Sequence, residues 1–542
     1  MASSLIHGQY VICAVTADGV ADVIPEGAVY QEDGRIVEVG PLADVAARHH
    51  PDEVLGSREH VVFPGLVNSH HHVGLTPFQL GSPDHPLELW FASRLAARDV
   101  DPYLDTLYSA FEMLESGVTT VQHLHGVRLG PATRVREVAH RIIQAYQDVG
   151  MRVSYSYATR DQNRLVYEAD EDFGRRLPPQ LAGEFGRWIE GQRIPLEDHL
   201  RLFVELWEYY GQNTQERVRI QLAPANLHWC SDDALGALRD HSDRYGVPLH
   251  MHLVETPYQK EYAWRRTGTT ALRHLDRLGL LGPALTLGHG VWLTEDDVEL
   301  VARTGTMVCH NASSNLRLRS GVAPVTEFLR HRVPVALGLD EAGINDDRDM
   351  LQEMRLVLRL HRIPGMEAVV PTPAQVFRMA TQGGAATTPF AERIGTLAPG
   401  RGADLVLMPW RDLSSPYLEP GTSVVDALVH RGRAASVETV VIAGEVVLRG
   451  GRITGVDKSA RLAELAAQLE RPRRPELVAR VTVARSRDRT APGSPDRATA
   501  RKSAARGERS PPPAGAGAPP RGVAAVRAAR PAPRGARSCR PP

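Results

Sequence analysis

Eight short, β-branched-rich runs, most of them closing on a polar or ionisable residue, constrain this chain more than any other feature. They are VVFPGLVNSHHH (61–72), GVTTVQHLH (117–125), RVSYSYAT (152–159) and VRIQLAP (218–224), then PLHMHLVE (248–255), LTLGHG (285–290), TMVCHN (306–311) and VPVALGLD (333–340). Helix-like stretches lie between them, including PYLDTLYSAFEMLES (102–116), SDDALGALRDHSDRYG (231–246) and TEDDVELVARTG (294–305). Ser231 and Thr294 stand where N-caps belong, and Asp297 follows Thr294 by three residues, the spacing of a capping box. Strands that alternate with helices pair in parallel, so the chain is expected to be α/β. Eight such units predict a TIM-type (β/α)8 barrel, in which polar residues at the C-terminal strand ends form the active face.

The ends of the chain obey other patterns. Residues 1–60 and 396–455 carry alternating strands and an Asp33-Gly34 turn signal, and the two segments are expected to meet in one small composite β-sandwich. That assigns 61–395 to the barrel and 456–470 to a terminal helix. Residues 471–542 hold 17 Arg and one Lys against only Glu476, Asp488, Asp496 and Glu508, a surplus of 14 positive charges, together with 13 of the 39 prolines. A segment so poor in large apolar residues cannot offset its ordering entropy, and it is expected to be a disordered basic tail. The body balances it with 45 basic and 60 acidic side chains, so the near-neutral total says nothing about partners. Nucleic-acid binding is not expected, although a basic arm leaves it open.

No apolar run approaches the roughly 20 residues that cross a bilayer, so no membrane partner is expected. Cys13, Cys230, Cys309 and Cys539 are too scattered for a disulfide framework or a thiolate zinc site, and the N-terminus lacks a basic region ahead of an apolar core. A cytoplasmic location fits these features.

Four places carry candidate chemistry. Alternate side chains of a strand share a face, so His70 and His72 can converge on one ion while His71 points away. His252 and Glu255 close the fifth run, His289 the sixth and Asp340 the eighth. Each alone reads as an ordinary packed or surface polar residue. Together they stand at the same end of strands 1, 5, 6 and 8 of one barrel.

The stretches PGLVNSHHH, GVTTV, HMHLVET, LTLGHGVWL, HNASSNLRLRSGVAPV, LGLDEAGINDDRDMLQEMR and IGTLAPGRGADLVLM resemble, in order, the motifs of the amidohydrolase superfamily, within it the cytosine deaminase and triazine hydrolase branch. The resemblance implies a barrel with a composite β-domain and an enzyme that hydrolyses carbon–nitrogen bonds other than peptide bonds. It implies His70, His72, His252 and Asp340 as metal ligands, with Asp340 also the base, His289 holding the attacking water and Glu255 shuttling a proton to a ring nitrogen. The fourth run offers no lysine to bridge two ions, so one divalent ion is expected, Zn²⁺ first and Fe²⁺ as the alternative. Such an ion brings a water to hydroxide near neutral pH. Hydrolytic deamination of an aminated N-heterocycle follows, in a protein the resemblance makes a homo-oligomer.

Substrate contacts are expected from Gln79, Trp90, His123, His125, Asn226, His228, Ser314, Asn315 and Glu341, all near strand ends. Pro224-Ala225-Asn226-Leu227-His228 departs from the Pro-His-Ala-Pro-Tyr-like motif of thioether-adenosine deaminases, which argues against a nucleoside. Two alternatives remain. One is a ring-opening hydrolase of cyclic amides resembling imidazolonepropionase. The other is a binding protein without catalysis, which the intact set of candidate residues disfavours.

Overall fold

The computed structural model describes residues 3–470 apart from 96, 127–129, 214–215 and 367; the expected tail at 471–542 lies outside the described residues. All eight runs form strands, in two wholly parallel sheets. The first takes Leu66–His71, Val118–His125, Arg152–Thr159 and Val218–Ile220 in order, with Ala223–Pro224 pairing further along Arg152–Thr159. The second takes Leu249–Leu253, Leu285–His289, Met307–His310 and Val335–Leu337. Isolated parallel bridges from Leu222 to Leu249 and from His71 to Asp340 join the two sheets at both ends.

The first run, expected as one strand, is cut at Pro64-Gly65. Residues up to Pro64 belong to the strand Glu53–Pro64 of a different sheet. Proline has no N–H to carry a ladder onward, and a Cβ on Gly65 would sit 2.1 Å from Thr119 Oγ1, so only glycine lets the chain turn there.

The helices follow their caps. Pro102–Glu115 starts at Asp101, whose carboxylate accepts from the backbone N–H of Tyr103 and Leu104, and it buries Leu104, Leu107, Phe111 and Leu114 at the three- and four-residue spacing of one helical face. Asp232–Tyr245 is capped by Ser231, and Glu295–Thr304 by the full Thr294–Asp297 capping box. Leu107, Phe111 and Leu114 join the apolar core that also holds Val121, Ile143 and Val153, and each fully buried side chain of this kind stabilises the fold by about 1.5–3 kcal/mol.

Both ends of the body meet as expected, but as one sheet. Ser3–Val15, Ala21–Glu32, Arg35–Pro41 and Glu53–Pro64 join Leu405–Pro409, Thr439–Ile442, Glu445–Arg449 and Arg452–Ile453 in a single mixed eight-stranded sheet. The seam is the antiparallel pairing of Val62 with Leu407, and Ile6, Val11, Val29, Leu405 and Val441 pack together beside it. Asp33 and Gly34 both take positive φ in the hairpin that the sequence marked. The helix Lys458–Glu470 seats Leu465 against Leu75 and Leu104. No helix among the described residues is long and apolar enough to cross a membrane.

Candidate metal centre and active-site cleft

His70 lies near the end of Leu66–His71 with His72 just beyond it, and the His71 ring turns away to Ser109 Oγ at 3.1 Å, as alternation requires. His252 projects from Leu249–Leu253. The three Nε2 atoms stand 3.1 Å (His70 to His252), 3.1 Å (His70 to His72) and 3.0 Å (His72 to His252) apart. Asp340 Oδ1 lies 3.2 Å from His72 Nε2 and 3.6 Å from His70 Nε2.

Two atoms each about 2.1 Å from a common ion are about 3.0–3.4 Å apart, so this donor set fits one divalent cation. The outward nitrogens support that fit. His72 Nδ1 lies 2.5 Å from the Leu124 carbonyl and His252 Nδ1 2.9 Å from that of Ala225. A carbonyl only accepts, so both rings carry the proton on Nδ1 and present a lone pair at Nε2. Burial, and then the neighbouring histidines, hold the pKa values of His70 and His252 well below the ordinary range, so both stay neutral. At His72 burial is outweighed by the Asp340 carboxylate and the pKa rises. Asn68 Oδ1 accepts from the N–H of His70 and of Leu339, tying the first strand to the last. Gly338 must be glycine for the same reason: a Cβ there would meet His70 Cβ at 2.5 Å and Asn311 Oδ1 at 2.4 Å.

Across from the histidines stand the remaining polar groups. Val254, His289 and Asp340 hold φ of 43°, 73° and 54°, left-handed backbone that turns the chain sharply at three strand ends. His289 Nε2 lies 3.8 Å from both Glu255 Oε2 and Asp340 Oδ2. Burial pushes the Glu255 carboxyl up to about 7; His289 opposes the shift and Asp340 adds to it. Burial acts upward on Asp340 too, but the hydrogen bond and charge of His72 overcome it and keep the carboxylate ionised. One carboxyl is therefore a proton donor near neutral pH and its neighbour an acceptor.

Two residues expected to touch substrate brace this machinery instead. Ser314 Oγ donates to Asp340 Oδ2 at 2.6 Å, and Asn315 Oδ1 lies 2.9 Å from His289 Nδ1, which leaves His289 Nε2 with the lone pair. The cleft encloses about 1380 Å³ counted out to its open mouth, and Trp90, Asn226, His228 and Glu341 line it. Gln79 is not among the lining residues: it faces Thr76 and Tyr108 on the surface. His123 and His125 open on a neighbouring cavity, with His123 Nδ1 at 2.9 Å from Tyr146 Oη, so the contact expected of them is corrected. They alternate on the strand with Leu124, and it is Leu124 that faces the cleft.

Several residues went unnoticed in the sequence. Glu88 and Arg94 share the helix Leu87–Leu95 with Trp90, and helical spacing could have placed them on the cleft wall. Arg94 Nε, buried in that wall, stands 3.5 Å from Oε2 of the partly buried Glu341. Tyr167, Trp188 and Arg160 carried no local signal.

Comparison with known proteins gives this arrangement a family. The model of the Amidohydrolase family matches residues 61–447, and that of an imidazolonepropionase-like composite domain of bacteria matches 27–50. The chain is 32% identical over 466 residues to a 5-methylthioadenosine/S-adenosylhomocysteine deaminase of Desulforudis audaxviator (strain MP104C), covering 85% of this chain and 96% of the relative. It is 29% identical over 488 residues to a 5'-deoxyadenosine deaminase of Methanosarcina mazei, covering 89% and 100%. A solved adenosine deaminase from Xanthomonas campestris with bound zinc superposes with a TM-score of 0.73 at 26% identity, over 86% of this chain and 98% of that one.

Proposed function

Because the chain belongs to the amidohydrolase family, we propose that it hydrolyses the bond between a ring carbon and its amino group in an N-heterocycle, an adenine-type ring, with release of ammonia. The observation that carries this reading is the convergence of three histidine Nε2 atoms within 3.1 Å of one another beside an ionised Asp340, with Glu255 facing them. His70, His72, His252 and Asp340 would hold one divalent ion, Zn²⁺ by donor type, with Fe²⁺ the other candidate. When bound, that ion supplies Lewis acidity that makes a water nucleophilic at neutral pH.

The residues then divide the proton work. Asp340 takes a proton from the attacking water, whose oxygen bonds to the amino-bearing carbon. Glu255 gives its proton to the adjacent ring nitrogen, so the electron pair of the broken ring double bond ends there as N–H. Asp340 returns its proton to the amino nitrogen, the carbon–nitrogen bond breaks and ammonia leaves. The remaining hydroxyl proton returns to Glu255 as the carbonyl forms. His289, steered by Asn315, accepts at Nε2 a hydrogen bond from the attacking water and orients it.

With this reading goes an architecture: the two parallel sheets as one (β/α)8 barrel from residue 66 to 395, the flanking sheet from the segment up to Pro64 and from 396–455, and a terminal helix over 456–470. The relatives' names are those of nucleoside deaminases, which weighs against the doubt drawn from residues 224–228. The test is ammonia release from 5'-deoxyadenosine, adenine and melamine by the zinc-loaded full chain, with loss on chelation and recovery on adding zinc back. Turnover of a cyclic amide to a carboxylate without ammonia would replace this reading with ring opening.

A further inference from the structure

His70 differs from the other two histidines of the cluster in what holds its outer nitrogen. His72 Nδ1 and His252 Nδ1 each meet a backbone carbonyl, that of Leu124 and that of Ala225. His70 Nδ1 meets a side chain instead, His250 Nε2, at 2.8 Å. His250 and His252 are alternate residues of the strand Leu249–Leu253, so both rings stand on one face of it.

The backbone around this contact leaves room for it. Gly288 pairs with His252 from the strand Leu285–His289, and a Cβ there would stand 2.9 Å from His70 Cε1, 3.2 Å from His70 Nδ1 and 3.4 Å from His250 Nε2. Gly288 and Gly338 thus both stay bare beside the same histidine. Cys309 Sγ is also near the two nitrogens, but burial keeps its thiol protonated and it lies 3.5 Å from Asn311 Oδ1, so this trio does not make a second ion site.

The direction of one hydrogen bond decides whether His70 can bind an ion. Both rings are fully buried, which disfavours the charged form, so each is neutral and carries a single N–H. If His250 donates from Nε2, His70 must keep its proton on its own Nε2, among the ligand atoms, where it blocks an ion. If His250 accepts, the His70 proton sits on Nδ1 and the Nε2 lone pair faces His72, His252 and Asp340. The bond to His70 is the only one that the His250 ring makes among the described residues, since its Nδ1 has no partner there.

We propose that His250 is a positioning residue: it accepts the Nδ1–H of His70 and so holds that ring in the tautomer and orientation that a divalent ion requires. This role rests on the reading of His70, His72, His252 and Asp340 as one ion site. The test measures zinc affinity of the full chain by competition with a chromophoric chelator, for wild type, His250→Leu, His250→Phe and His250→Gln, with melting temperatures of the metal-free forms alongside. Leu and Phe occupy the space without an acceptor, and the zinc dissociation constant should rise about 10–100-fold in whichever of them folds. Gln brings an amide oxygen to about the place of Nε2, so His250→Gln should stay within about threefold of wild type. Unchanged affinity in the Leu and Phe variants, or a loss in His250→Gln as large as theirs, would overturn the role and leave His250 a packing residue. If Leu and Phe both unfold the protein, His250→Gln decides by itself, tight zinc supporting the role and weak zinc overturning it. A wild type that holds no zinc would remove the ion site and this role together, whereas one that holds zinc and releases no ammonia would fail the deaminase reading alone.

Discussion

Replacing Glu255 with Gln should make the protein slower and more stable at once, and the second effect can be sized from the fold. The Glu255 side chain is buried, at 4% exposure, and its carboxyl is pushed from 4.5 up to about 7. The native state thus keeps a proton that the unfolded chain releases near pH 4.5. Between those values the native state binds more protons, so wild-type stability is highest below pH 4.5 and falls as pH rises to about 7. At about 1.4 kcal/mol per pKa unit, the loss levels off near 3 kcal/mol above neutrality. Gln carries no charge to desolvate and escapes it. Melting temperatures of metal-free wild type and metal-free Glu255→Gln should therefore diverge by several degrees between pH 4.5 and 7.5 in favour of the variant. Over the same range kcat should fall by about 10²–10⁴, the range for a general acid, and the alkaline limb of kcat/KM near pH 7 should vanish. A stability gap that does not change with pH, or a variant with near-normal kcat, would refute the assignment of a buried, protonated Glu255.

Other expectations follow from single contacts. Asp340→Asn should cost at least about 10³-fold in kcat and lower the zinc retained after gel filtration, since it removes the residue proposed as both ligand and base. His71→Ala should keep its zinc by elemental analysis, because that ring faces Ser109, while melting earlier for the buried space it vacates. Asn315→Ala frees the His289 ring, and kcat should drop about 10–100-fold with KM changed far less. Gly338→Ala pushes a methyl into His70 and Asn311, so zinc content should fall even where soluble protein is recovered.

Much of the site was legible because its residues advertise themselves locally. A His–x–His at a strand end, an acid three residues past a second strand histidine, and an acid closing an apolar run are short patterns whose geometry comes from the two-residue period of a strand. Caps and turns were legible for the same reason: the Thr294–Asp297 box and the Asp33-Gly34 hairpin are satisfied within a few residues. What could not be read were pairings between distant segments. Nothing near Ser314 or Asn315 says that they hold Asp340 and His289 rather than a substrate. Nothing near Arg94 says that Glu341, almost 250 positions away, will stand 3.5 Å from it. His123 and His125 carried the right residue type at the right strand, and a phase of one residue turned them to the other cavity.

The sequence alone therefore determined the repeating strand–helix plan, the metal-ligand candidates and the division of charge between a body at −15 and a terminal segment at +14. These depend on periodicity and residue type, which act over a few positions. Tertiary structure decided that both ends of the body share one sheet, and that burial raises the Glu255 carboxyl while His72 holds the Asp340 carboxylate ionised. Solvent exclusion and through-space charge set those outcomes, and neither exists until segments far apart in the chain have packed against one another.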